Sequence, residues 1–245
     1  MEVSYERKII KFEPVHEGPL QIWDYPNTDT QYCLGIDTST GLGEDYSSLQ
    51  VFSRSMPFTQ VAHFRAKWSV VDVAEVANSL GRFYNNALVI CETNYPGNAV
   101  QDALVMTYRY PKNYRAEEHL DEDPQVSSKY GFCTTQAKKW LLIRETQELL
   151  LSGNIIIKDP LTIEEMGNFV YVEDKTKTGA AQGFNDDTVM GLMLATHGCT
   201  IYPQKFAPRQ DKENPNKAQA TRMLSDFHKK LQDRRQNKLT HVQMV

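Results

Sequence analysis

The 245-residue chain has little of the material from which several common protein classes are built. It holds only four cysteines and no CxxC pair, and Cys33 and Cys91 lie inside apolar, strand-like stretches. Buried free thiols in a reducing compartment explain these cysteines better than zinc ligands or disulfides. No apolar run approaches the length of a membrane span, and the opening residues, MEVSYERKII, lack the apolar stretch of a signal peptide. We therefore expect a protein that is neither secreted nor membrane-spanning.

Motifs for several kinds of chemistry are also absent from the sequence. The pattern Gly-x-x-x-x-Gly-Lys-Ser/Thr does not occur, which excludes a phosphate-binding loop of the ATPase type. His63, His119 and His197 lack the spacing of metal ligands. Ser39 and Ser47 have no accompanying pattern of His and Asp that would indicate a nucleophile.

Charge is distributed unevenly along the chain. The formal net charge is −4, but residues 203–245 carry +6 and the rest of the chain −10. A basic tail suits a polyanion or an acidic partner, and a solvated surface helix explains it equally well. Composition and periodicity together predict a lead-in or linker segment at 1–30, one compact domain at 31–202 and a basic helical tail at 203–245.

Apolar stretches separated by turn residues predict the order of strands and helices. Three strand-like runs, Tyr32–Thr38, Ser47–Ser53 and Gln60–Ala66, are separated by short turns with glycine or proline, which favours an antiparallel meander. A compact apolar run at 87–91 is typical of a strand in the middle of a sheet. The order predicts an α/β fold with a mixed central sheet flanked by helices. Helices are predicted at 70–84, 97–108, 136–151, 188–197 and 216–236, and short strands at 155–158 and 169–173.

Five acidic residues fall in three short segments, beside apolar strand-like or helix-like runs. Asp37 follows the first strand, Asp45 lies in the turn after it, and Glu92 ends the run at 87–91. Asp186 and Asp187 stand at the start of a late apolar helix, which Asp186 or Asn185 could cap, and Asp45 is equally consistent with a turn residue. If the strands that carry Asp37 and Glu92 are parallel neighbours, their ends coincide and the acids converge.

Carboxylates in such places are costly to bury unless a cation neutralises them. Hard ions such as Mg²⁺ prefer oxygen ligands, and Mn²⁺ accepts the same set. Two ions about 3.5–4 Å apart, bridged by a carboxylate, would activate a water and stabilise the leaving oxygen of a phosphoryl transfer. We expect Asp37 to be the bridge. The acids predict a metal-dependent phosphoryl-transfer site with nucleic acid as substrate, and the scattered aromatics do not support sequence-specific readout.

Three segments together resemble the nuclease domain of the large terminase subunit of tailed bacteriophages, a branch of the RNase H-like (retroviral-integrase-like) superfamily. They are YCLGIDTSTGLGEDYSSLQVF, ALVICETNYPGNAV and GFNDDTVMGLMLA, in that order, and the resemblance covers roughly residues 30–200. It implies an RNase H-like fold with Asp37, Glu92 and Asp187 as the catalytic, metal-binding triad. Asp186 and Asp45 would be supplementary ligands or neighbours of the ligands.

The resemblance also implies a function. It indicates a Mg²⁺- or Mn²⁺-dependent endonuclease that cuts concatemeric viral double-stranded DNA during genome packaging, in the cytoplasm of an infected host cell. Implied partners are the portal protein, the small terminase subunit and an ATPase motor domain, which this sequence does not contain. Segment 174–183, with Lys175 and Lys177, resembles the family's mobile hairpin near the active site.

Several lysines are candidate DNA contacts. Lys175 and Lys177 could contact phosphates, and Lys129, Lys138 and Lys139 could line the DNA path, although a solvated surface explains each of them as well. Two other functions remain open on the sequence. One is another RNase H-like nuclease, such as a Holliday-junction resolvase, and the other is a non-catalytic docking module of a packaging complex.

Overall fold

The central element is a mixed β-sheet in which an antiparallel meander meets one parallel strand. A computed structural model describes residues 18–43, 45–115, 130–172, 177–181 and 185–204. Within these ranges the main sheet has the order β1-β4-β3-β2-β5, with β6 also paired to β4, and β7 and β8 form a separate antiparallel pair. The strands are β1 (Leu20–Ile22), β2 (Tyr32–Asp37), β3 (Ser47–Ser53), β4 (Phe58–Ala66), β5 (Leu88–Cys91), β6 (Ile155–Ile156), β7 (Phe169–Val172) and β8 (Lys177–Ala180).

Helices cover both faces of the sheet. Alternate residues of a strand point to opposite faces, so β2 sends Leu34 and Ile36 into the core under α1, while Cys33 joins the core under α3 and α5. Burial on both faces explains why β5, and β2 as far as Ile36, are apolar rather than alternating, while β3 is buried along its whole length although it also carries serine and glutamine. The helices are α1 (Val70–Phe83), α2 (Gly97–Asp102, continued by a π-helical turn at Ala103–Thr107), α3 (Gln136–Ser152), α4 (Pro160–Asn168) and α5 (Asp187–Ile201).

Helix α5 lies unusually close to strand β2. Gly35 has no side chain, and a Cβ built there would be 2.1 Å from the Gly191 carbonyl oxygen and 2.4 Å from the Ala195 nitrogen. Backbone therefore packs on backbone at this point. The close contact fixes how α5 sits on the sheet, and α5 begins with Asp187.

Most of the predicted elements are confirmed. The meander β2-β3-β4 is antiparallel, and β2 pairs with β5 in parallel through Ile36 and Cys91. Thr135 caps α3, since its side chain accepts a hydrogen bond from the Lys138 N–H. The α/β class with a mixed sheet flanked by helices is thus as predicted. None of the helices in the described residues is long and apolar enough to cross a bilayer.

Other elements differ from the prediction. Helix α4 was not predicted, although Asp159 at its N-cap and Pro160 in its first turn are a regular start signal. Within segment 174–183, Lys177–Ala180 forms strand β8, which pairs antiparallel with β7, and the short strand β1 lies inside the stretch interpreted as a lead-in. The helix expected at 216–236 lies outside the described residues.

A buried ion pair joins α4 to the sheet. Asp159 is 2% exposed, and its Oδ2 lies 2.8 Å from Nδ1 of His63 on β4. The same carboxylate accepts hydrogen bonds from the Leu161 and Thr162 N–H groups and from the Thr162 hydroxyl. Burial alone would raise the pKa of Asp159, but the hydrogen bonds from His63 and Thr162 outweigh it and lower the pKa from 3.8 to about 2.

We expect Asp159→Ala to lower the free energy of unfolding by about 3 kcal/mol at pH 7, because it removes a cap and leaves buried partners unpaired. The lowered pKa means that this stabilisation is complete above pH 4 and is lost as the pH falls toward 2. Urea unfolding of both proteins between pH 7 and pH 3 measures the effect. Asp72→Ala removes an exposed acid from the first turn of α1, which accepts a hydrogen bond from the exposed Ser69 hydroxyl, and should lower stability by less than about 1 kcal/mol. A loss at Asp159 no larger than the loss at Asp72 would contradict the expectation.

Candidate active site

Two acids meet where strands β2 and β5 end. The strands are parallel neighbours, and the Glu92 N–H donates to the Ile36 carbonyl oxygen at 2.9 Å. Asp37 is the last residue of β2, and Glu92 directly follows β5. The Glu92 carboxylate is close enough to contribute to the raised pKa of Asp37. The convergence predicted from the sequence for these two residues therefore exists in the structure.

Asp186 and Asp187 reach the same place from the start of helix α5. Asp187 is 7% exposed, and its Oδ2 accepts a hydrogen bond from the Tyr46 N–H at 3.0 Å. Asp186 occupies the N-cap position, but its side chain makes no capping hydrogen bond. Instead, its Oδ2 lies 3.5 Å from the Lys139 Nζ. Asp186, one of the two candidate caps, is therefore the N-cap residue by position but does not cap the helix through its side chain.

Burial and repulsion from neighbouring carboxylates disfavour charge on Asp37 and Asp187. Burial raises the pKa of Asp37 well above its usual value of 3.8, and the carboxylates of Glu92, Asp187 and Asp186 raise it further. Burial also raises the pKa of Asp187, to about 6, against the lowering effect of the Tyr46 hydrogen bond. A group of acids that resists ionisation is a place where a cation would be stabilised.

The donor set fits a hard divalent cation. Four carboxylates supply only oxygen, which Mg²⁺ and Mn²⁺ prefer, and Lys139 is the cation that pairs with one of them. In the described residues, no three His, Cys, Asp or Glu side chains already surround one point at which an ion could be held.

Solved structures share this fold. The large terminase nuclease from thermophilic phage G20c with bound magnesium superposes with a TM-score of 0.61 at 20% identity, over 75% of this chain and 89% of that one. The large terminase nuclease domain of Thermus phage P74-26 superposes with a TM-score of 0.57 at 19% identity, over 77% of this chain and 90% of that one. The chain has the fold of these terminase nuclease domains. The resemblance that the sequence indicated is thus confirmed as a likeness of fold.

The same fold has been solved with other metals. The G20c terminase nuclease with bound cobalt superposes with a TM-score of 0.60 at 21% identity, over 75% of this chain and 89% of that one. The form with bound zinc superposes with a TM-score of 0.54 at 19% identity, over 75% of this chain and 90% of that one. The sequence matches no protein-family profile. The terminase-nuclease likeness therefore rests on three-dimensional structure.

The structure describes some of the other predicted site residues, while others lie outside the described part of the chain. Asp45 is exposed, but its charge contributes to the raised pKa of Asp187, so it lies at the margin of the acid group. Lys138 begins α3, with its Nζ 5.6 Å from the centre of the Phe132 ring. Lys177 is the first residue of β8. Lys129 and Lys175 lie outside the described residues. As DNA contacts, all four lysines stay predictions.

Sequence reasoning missed two contributors to the site, Tyr46 and Glu165, and assigned a third, Lys139, only to the DNA path. The Tyr46 N–H, the Lys139 ammonium and the carboxylate of Glu165 on α4 all lie beside the acids of α5. A backbone N–H leaves no signal in the residue type. Glu165 would have stood out only with α4 recognised, since a buried acid inside a short helix calls for a partner.

Proposed function

We propose that this chain is a divalent-metal-dependent endonuclease that cuts double-stranded DNA. The observation that carries the proposal is the convergence of Asp37, Glu92, Asp186 and Asp187 at one end of the parallel pair β2/β5. A fold shared with terminase nucleases supports the same function. The acids come from three separate segments, so a purely local structural role does not explain their meeting.

The four carboxylates would hold the ions, with Asp37 between Glu92 and the pair on α5. Bound Mg²⁺ or Mn²⁺ ions would supply charge neutralisation and Lewis-acid assistance to phosphodiester hydrolysis, in a two-ion arrangement. The chain itself would orient the acids. The Ile36 carbonyl fixes the backbone of Glu92, and the Tyr46 N–H fixes one oxygen of Asp187. Lysines such as Lys138 and Lys177 would attract the DNA backbone.

We further propose that the DNA is a viral concatemer cut during genome packaging, in the cytoplasm of an infected host cell. The fold shared with phage terminase nucleases supports this setting. The partners would then be the portal protein, the small terminase subunit and an ATPase motor. Cutting would be weakly sequence-dependent, because no described group of exposed aromatics forms a base-stacking surface.

A plasmid assay tests the nuclease. Supercoiled and linear DNA are incubated with the protein in Mg²⁺, Mn²⁺ or EDTA, with Asp37→Asn as the matched inactive variant. We expect degradation in the metals, none in EDTA and none by the variant. Cleavage confined to a four-way junction would instead assign a junction resolvase. Intact DNA in every metal, with no metal binding by calorimetry, would assign a docking module.

Metal affinity should depend on pH. Asp187 must lose its proton to bind a cation, and its pKa is raised to about 6. The proton on Asp187 alone should weaken Mn²⁺ binding about tenfold between pH 7 and pH 5. Calorimetric titration with Mn²⁺ at several pH values measures this. An affinity that stays constant over that range would show that Asp187 is not a ligand.

A further inference from the structure

In the first turn of helix α5, a backbone N–H group donates its hydrogen bond to an acceptor on another helix. The first N–H groups of a helix lack partners within it, and an N-cap side chain normally accepts one of them. Asp186 stands at that position without doing so. Glu165 on α4 takes this role, because its Oε2 accepts from the Thr188 N–H at 2.9 Å and from the Thr188 hydroxyl at 2.5 Å.

Glu165 is itself held by an arginine. Its side chain is 5% exposed, and its Oε1 lies 3.2 Å from the NH2 nitrogen of Arg65 on β4. A carboxylate buried so deeply needs a counter-charge, and Arg65 provides it. The pair fixes Glu165 in the one orientation that faces both the arginine and the start of α5.

The same arginine supports the other contact of Asp187. The Arg65 guanidinium carbon lies 3.5 Å from the centre of the Tyr46 ring, stacked as a cation on an aromatic face. The Tyr46 N–H donates to Asp187. Arg65 therefore links two contacts, one through Glu165 to Thr188 and one through Tyr46 to the carboxylate of Asp187.

We infer that Glu165, with Arg65, is a positioning residue for the metal-binding acids: it caps α5 in place of Asp186 and leaves both aspartates free to face a cation. This inference rests on the proposed function. An N-cap that bound its own helix would turn its carboxylate away from Glu92 and Asp37. Because Glu165 on the neighbouring helix caps α5, the two aspartates at the start of α5 are not needed for capping and can bind metal.

A residue that positions a metal ligand is best tested by measuring metal affinity. Losing such a residue commonly weakens metal binding ten- to a hundredfold. We expect Glu165→Ala to weaken Mn²⁺ binding by about tenfold or more in calorimetry and to raise the metal concentration needed for half-maximal cleavage by a similar factor. Glu165→Gln keeps an acceptor for Thr188 but turns an NH2 group toward Arg65, so its Mn²⁺ affinity should lie between those of the wild type and Glu165→Ala.

Asn78→Ala is the matched control for lost stability. Asn78 is 6% exposed on α1 and accepts a hydrogen bond from Arg82, away from the acids. This variant should lose stability but keep the metal affinity of the wild type.

Thr188→Val removes only the hydroxyl partner of Glu165 and is the substitute test if Glu165→Ala does not fold. We expect about threefold weaker Mn²⁺ binding from it.

The outcomes separate the positioning role from the nuclease itself. Unchanged Mn²⁺ affinity in Thr188→Val and in folded Glu165→Ala, with lost stability alone, would overturn the positioning role while the wild type still cuts DNA. A wild type that neither binds Mn²⁺ nor cuts DNA would instead overturn the nuclease. Weakened metal binding in Glu165→Ala but not in Asn78→Ala would establish the inference.

Discussion

Asp37→Asn is expected to abolish DNA cleavage and, at the same time, to make the metal-free protein more stable. Loss of a central metal ligand would remove about 4 kcal/mol of transition-state stabilisation, which corresponds to about a thousandfold in rate. The stability gain follows from electrostatics, because Asp37 lies half-buried beside Glu92, Asp186 and Asp187 and its pKa is raised well above 3.8. An asparagine keeps the shape and removes the charge.

The pH dependence of this gain has a definite sign. A carboxyl whose pKa is raised by folding costs stability once the pH passes its ordinary value, so the wild type should lose stability as the pH rises from 4. In EDTA at pH 8 we expect the variant to melt a few degrees higher, equivalent to about 1–2 kcal/mol. At pH 4 the difference should vanish. A variant that is less stable at pH 8, or that still cuts DNA, would contradict the expectation.

Gly35→Ala is expected to be among the most damaging single substitutions in the described part of the chain. The added methyl would lie 2.1 Å from a carbonyl oxygen and 2.4 Å from a nitrogen of α5. Both are backbone atoms, so the whole helix must shift. We expect a loss of about 3 kcal/mol or more in urea unfolding, at the upper end of overpacking costs. Cleavage should fall with it, since α5 carries Asp186 and Asp187 to the site.

Two other glycines provide comparisons for the loss of stability expected at Gly35. A Cβ at Gly43 would meet nothing within 4 Å, so Gly43→Ala should leave stability nearly unchanged. At Gly191 the nearest atom would be the Ser48 hydroxyl oxygen at 3.1 Å. Alanine there also gains about 1 kcal/mol of helix propensity, so its net effect should lie between the other two. Equal losses at Gly35 and Gly43 would show that the backbone contact does not limit stability.

The sequence predicted the parts of this fold in which pattern and packing agree. Strand β3 has the predicted bounds, and α1 and α3 differ from theirs by one residue, because their apolar spacing and caps are strong local signals. The parallel pairing of β2 with β5 was expected from strand order and places Asp37 beside Glu92. The meeting of the four acids was predictable because each of them stands beside an apolar run in the sequence. These acids are Asp37, Glu92, Asp186 and Asp187.

The remainder depends on contacts that no local pattern records. Asp186 has an ideal residue type for an N-cap, yet Glu165 performs the capping from another helix. Strand β8 has two small residues in four and a weak strand pattern, so only its pairing with β7 makes it a strand. Helix α4 was missed despite its Asp-Pro start, because its nine residues are too few to show a clear period.

The order of the strands also bears on when activity can appear during synthesis. Asp37 and Asp187 are separated by 150 positions, and Glu92 lies between them. A nascent chain therefore carries the meander and β5 long before it carries α5, and until α5 docks on Gly35 the acid group is incomplete. Under the proposed function, ribosome-bound intermediates of this protein would therefore not cut nearby DNA until the last described helix has been made and has docked.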